Sequence, residues 1–149
     1  DCVEIYVMPS FRNGVYWEID MNLTESLFDG LMAKRQNAFG STQVAGADID
    51  GITMAFTLKG TLNDSTDVDE GYICEVAIPF SDLPEYSRAE PAAGQEIHFM
   101  MLRLDKQLKD GEDPENLSEK PYTLTPYSHV PLLLWGHNIW NHGKMILAR

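Results

Sequence analysis

Apolar and polar residues alternate with a period of two along most of the chain, and no segment keeps a helical period beyond a couple of turns. Successive side chains of a strand point to opposite faces, so this pattern commits the chain to sheets with one buried face. In Val3–Met8 one face carries Val3, Ile5 and Val7, and the other Glu4 and Tyr6. In Val15–Asn22, Val15, Trp17, Ile19 and Met21 oppose Tyr16, Glu18, Asp20 and Asn22, which makes Trp17 a core residue. The run between them ends in Asn13-Gly14, a hairpin signal because both residue types tolerate positive φ.

Further strands follow the same rule. Ser26–Ala33 reads as a strand with a bulge expected at Asp29-Gly30. Ile52–Lys59 and Tyr72–Ile78 alternate again, the second stopped by Pro79, which lacks a ladder donor. Ile97–Leu104 and Lys144–Ala148 complete the set. Asn63–Gly71 is a polar loop, Ser81–Pro84 opens a short helical turn, and the charged stretch Lys106–Lys120 reads as a long surface loop. Short strands separated by turn signals predict an all-β fold, an antiparallel sandwich or a barrel. The 149 residues suffice for one domain, spanning 1–149.

Eleven basic against 23 acidic residues give a net charge of −12. Such a surface repels phosphate backbones and anionic membranes, because nucleic-acid affinity comes largely from Lys and Arg displacing counterions. It suits neutral partners. No apolar run approaches the roughly 20 residues of a membrane helix. Cys2 and Cys74 are far apart and lack metal-ligand spacing, so either they form a disulfide or each is a small buried apolar residue. His137 and His142 are five apart, a spacing that suits neither a helix face nor a strand face, and no metal site is expected there. The carboxylates of Asp64–Glu70, or Asp48 and Asp50, are compatible with a structural calcium. No other cofactor is expected.

Several stretches, taken in order, resemble one family. Asp1-Cys2-Val3-Glu4-Ile5-Tyr6 is similar to the D-x-V-E-I-F strand of family 9-like carbohydrate-binding modules. Gly71–Phe80 resembles their G-[YW]-x-x-E-x-A-I-P-[FW] strand, and Gly60-Thr61-Leu62-Asn63 precedes it as in many of them. Arg103-Leu104-Asp105 resembles the Arg-x-Asp end of their next strand, and the tail from Trp135 through Gly143 to Leu147 their closing segment. The resemblance implies an antiparallel β-sandwich of family 9 type. It also implies that further strands come ahead of the D-x-V-E strand, so that this chain would be the C-terminal two thirds of such a domain.

Its functional implication is non-catalytic carbohydrate binding. The module would be extracellular or periplasmic and tethered to a catalytic domain of a glycan-processing protein. Sugar recognition needs flat rings for pyranose C–H faces and fixed donors and acceptors for hydroxyls. Glu4 matches the family's carboxylate, and Trp135 lies within one position of a clamp tryptophan. Asp20 stands where the family carries an arginine, which reverses the charge. Trp140, among polar residues, is a candidate second platform, and Arg103 a candidate ligand contact. Each has a plainer reading: Glu4 solvated, Trp135 in the core, Trp140 a loop anchor, Arg103 paired across strands with Glu75.

No nucleophile elbow, P-loop or H-E-x-x-H motif is present, so an enzyme is not expected. Two alternatives stand beside sugar binding. One is a related b-type haem-binding sandwich using Met100, Met101, His98 or Lys144. The other is a structural spacer domain without a ligand.

Overall fold

The computed structural model describes residues 1–9, 14–34, 41–64, 66–83, 92–111, 122–130, 137 and 142–148. Nine strands are present among them: β1 (Cys2–Met8), β2 (Val15–Met21), β3 (Leu27–Lys34), β4 (Ser41–Gln43), β5 (Thr53–Lys59), β6 (Gly71–Ala77), β7 (Glu96–Leu108), β8 (Tyr122–Ser128) and β9 (Gly143–Ile146). A 3-10 turn, Phe80–Asp82, follows Pro79, close to the helical turn expected there. Among the described residues no helix is long and apolar enough to cross a membrane.

The strands form two antiparallel sheets. The long one runs β4-β3-β2-β1-β7-β8, with β9 also pairing β7; the short one is β5-β6. β8 and β9 divide the far edge of β7, β8 pairing residues 102–108 and β9 residues 96–99. The two sheets pack face to face. Ile5, Val7, Trp17, Ile19, Met21 and Ile97 of the long sheet form a buried cluster, against which Met54, Phe56, Cys74 and Val76 of the short sheet are packed. Trp17 is fully buried there, as the alternation of β2 requires. Burying each such side chain contributes about 1.5–3 kcal/mol. All-β, two-layered architecture is therefore established.

Several local expectations are corrected. β3 pairs β2 without interruption through Asp29 and Gly30, so there is no bulge. Gly30 answers a different need: a Cβ there would lie 3.0 Å from the Gln43 side chain and 3.1 Å from the Phe28 ring. β7 runs to Leu108, through residues whose charge suggested a loop; Asp105–Leu108 are held by β8. β8 itself was hidden by Pro126, which an edge strand tolerates because one row of donors is unused. Cys2 and Cys74 are both free thiols on opposite faces of the long sheet, Cys2 beside its outer cluster and Cys74 within the sandwich. Glu75 and Arg103 lie in different sheets, and Arg103 instead pairs with Asp105.

Candidate ligand-binding site

Paired residues of antiparallel neighbours share a face, so register decides which polar side chains meet. Glu4 lies opposite Asp20, and Tyr6 opposite Glu18. The same register places Met100 and Leu102 beside Tyr6 and Glu4. All of them project from the outer face of the long sheet, away from the short sheet. An apolar patch of Met8, Met32, Met100, Leu102 and Leu104 surrounds the polar group.

Three carboxylates converge there. One oxygen from each of Glu4, Glu18 and Asp20 lies within 4.8 Å of the others. Glu4 is 7% and Glu18 8% exposed. The Tyr6 hydroxyl donates to Glu4 Oε2 at 2.6 Å and lies 3.4 Å from Glu18 Oε1. Asp20 Oδ1 is buried with no hydrogen-bond partner among the described residues. No lysine or arginine among the described residues forms an ion pair with the three.

Aromatic rings enclose this group. Tyr6 and Tyr16 lie 5.9 Å apart by ring centroids, and His137 and His142 stand 5.8 and 5.7 Å from Tyr6. Tyr16 Oη and His137 Nδ1 are 2.9 Å apart, and His137 Nδ1 is 3.7 Å from Glu18 Oε2. The sequence spacing of His137 and His142 excluded a shared helix or strand face, yet the fold brings both rings to the same two tyrosines.

Burial and mutual repulsion set the electrostatics. Desolvation, then the Glu4 carboxylate, pushes Glu18 up to about 7. Desolvation, then Glu4 and Glu18, pushes Asp20 up to about 7. Tyr6 is raised by burial and by its bond to Glu4, Tyr16 is pushed up to about 12 by burial, and His137 is lowered by burial. Near neutral pH the cluster therefore shares protons and can both donate and accept hydrogen bonds.

Of the residues expected from sequence, Glu4 sits at the centre of this cluster and is buried rather than solvated. Arg103 is on the other face: it pairs in register with Val3, a neighbour of Glu4, and so points between the sheets. There it pairs with Asp105 and lies 5.9 Å from the Tyr72 ring and 5.8 Å from the Tyr127 ring. Glu4 and Arg103 cannot touch one sugar together. Trp135 and Trp140 lie outside the described residues.

The residues considered for haem are also distributed. His98 and Met100 share the outer face, Met101 points the other way, and Lys144 is His98's register partner and pairs with Glu96 at 2.8 Å. In the acidic loop, Thr61 donates to Asp69 and Asp67, and Thr66 to Asp64, so the loop's own donors occupy these carboxylates.

Sequence reasoning placed Glu4, Glu18 and Asp20 on polar strand faces but did not join them. The signal was present in the two alternating strands, since antiparallel pairing of β1 with β2 in this register puts their polar faces on one side. Compared with protein-family models, curated proteins and solved structures, the chain matches none.

Proposed function

We propose that the chain is a non-catalytic carbohydrate-binding module whose site is the outer face of the long sheet around Glu4, Glu18 and Asp20. The supporting observation is the convergence of three carboxylates and two tyrosine hydroxyls inside a ring of aromatic side chains. Vicinal sugar hydroxyls donate in pairs and need acceptors a few ångströms apart, while the pyranose C–H faces need flat rings. Tyr6 and Tyr16 are fully buried and hold the polar group in place, Tyr6 through Glu4 and Tyr16 through His137; the stacking ring would be Trp135, which the family resemblance assigns to that role.

Family 9-like architecture, an extracellular or periplasmic setting and tethering to a glycan-processing enzyme belong to the same proposal. Binding is expected to be weak, on the order of 10–100 µM or about 5.5–7 kcal/mol. A glycan array followed by calorimetry with soluble cello-, xylo-, laminari-, manno- and chito-oligosaccharides tests the reading. Saturable binding to one of them supports it. No binding at millimolar sugar, together with a calcium-dependent rise in thermal stability, would assign the three carboxylates to a cation instead.

A further inference from the structure

Acceptors outnumber donors in the outer-face site. Glu4, Glu18 and Asp20 each bring two carboxylate oxygens. Among the described residues, the bonds to them come from the Tyr6 hydroxyl, 2.6 Å from Glu4 and 3.4 Å from Glu18, and from the Cys2 thiol, 3.8 Å from Glu4. Asp20 Oδ1 is buried and takes no hydrogen bond from any described group. Glu18 is 8% exposed, and the nearest described cation to its Oε2 is His137 Nδ1 at 3.7 Å, beyond hydrogen-bond reach. That nitrogen is engaged instead with Tyr16 Oη at 2.9 Å. Closed-in oxygens therefore lack a donor, and no described lysine or arginine balances the three negative groups.

The geometry points to a sugar with a free amino group as the ligand of this site, its ammonium seated among Glu4, Glu18 and Asp20. This rests on the carbohydrate-binding reading and narrows it to unacetylated amino sugars. An ammonium carries three N–H donors in a tetrahedral array, and donating at about 2.8 Å it holds its acceptors about 4.6 Å apart. One oxygen from each of the three carboxylates lies within 4.8 Å of the others. A sugar hydroxyl brings one donor and no charge, and an acetylated amine likewise one N–H and no charge. Either would leave the buried negative charge uncompensated.

The surroundings suit such a group. Asp20 is half-buried where Glu4 and Glu18 are buried, so the open side of the cluster is beside Asp20. The apolar rim of Met8, Met32, Met100, Leu102 and Leu104 lowers the local dielectric, which strengthens the attraction between ammonium and carboxylates. Calcium would ask for about six to eight oxygens. Donors already sit on both Glu4 oxygens, the Cys2 thiol on Oε1 and the Tyr6 hydroxyl on Oε2, so part of that set is taken. An ammonium needs three acceptors and can use their remaining lone pairs.

The probe is a tetramer of β-1,4-linked glucosamine, compared with cellotetraose and with the fully N-acetylated tetramer. Calorimetry is run on the full chain at pH 6.5 in about 0.15 M salt, which screens exposed charges, with EDTA present so that no divalent cation holds the carboxylates. The glucosamine tetramer should bind at least about ten-fold more tightly than either neutral tetramer. Asp20→Asn, which keeps the shape, should bring that preference within about two-fold. Asp110→Asn makes the same change in net charge at an exposed position and should leave the preference intact. Equal affinity for the neutral tetramers would overturn the amino-sugar inference while leaving sugar binding in place. A preference that survives Asp20→Asn, or that Asp110→Asn reduces as much, would also overturn it, by assigning the effect to the −12 charge of the whole chain. No binding of any tetramer at millimolar concentration would overturn both readings.

Discussion

Glu4 and Asp20 face each other directly across the β1–β2 pair, two acidic side chains on one partly buried face. Like charges directly opposite on paired strands destabilise a sheet. Glu18, one step along the same face, adds a third. No lysine or arginine among the described residues pairs with them, and His137, 3.7 Å from Glu18, is itself held towards its neutral form by burial, so protonation of the carboxylates relieves the repulsion.

Stability should therefore fall as pH rises. Glu18 and Asp20 are both raised to about 7 in the fold, above the unfolded values of about 4. Their favourable contribution is fully present below the unfolded values and is lost as pH rises through about 7. His137, lowered by burial, opposes this trend at the acidic end, since its unfolded form takes up protons more readily. Thermal melts from pH 4.5 to 8 on the wild type and on Glu18→Gln/Asp20→Asn separate the contributions. The double variant should melt higher at pH 8 and lose most of the decline that the wild type shows between about pH 4.5 and 7.5. An unchanged slope would contradict the shared-proton description.

Tyr6→Phe should destabilise the protein although it removes only one oxygen. The hydroxyl serves Glu4 and lies within reach of Glu18, and deleting it leaves buried acceptors unsatisfied, at about 1–3 kcal/mol. Urea denaturation at pH 7 checks this. A cost near zero would mean that water already serves these carboxylates.

Trp17→Ala should cost about 3–5 kcal/mol, because the ring is fully buried between the two sheets. The measurement is the same denaturation series, with Trp17→Leu expected to lose less. A loss within experimental error would contradict the packing of the sandwich core.

Arg103→Ala should leave sugar affinity unchanged, because the side chain points between the sheets and away from Glu4. It should also change stability little, the arginine of the Asp105 pair being half exposed. Calorimetry on this variant distinguishes the outer-face site from one built around Arg103.

The chain's own pattern exposed much of this fold and less of its site. Alternation in Val3–Met8 and Val15–Asn22 was enough to place β1, β2 and the burial of Trp17, because a period of two has one structural meaning. It failed where another signal masked it. Pro126 concealed β8, and Lys106 with its polar neighbours concealed the end of β7 from Asp105 to Leu108, since an edge pairing tolerates both. The Glu4–Glu18–Asp20 cluster needed register, which is a relation between strands rather than a property of either. His137 and His142 meet Tyr6 and Tyr16 only through tertiary packing, and local spacing carries no trace of that. Arg103 and Glu75 carry opposite charges at strand positions that suit a cross-strand pair, but their strands belong to different sheets.

Calorimetric titration of wild type and Glu4→Gln with the best oligosaccharide of the panel addresses the sugar site most directly. The isosteric change removes one charge and two strong acceptor lone pairs while keeping shape. The expected result is wild-type binding on the order of 10–100 µM and at least about a ten-fold loss in the variant, or 1.4 kcal/mol, with the fold intact by circular dichroism. Identical affinities in the two proteins would contradict it.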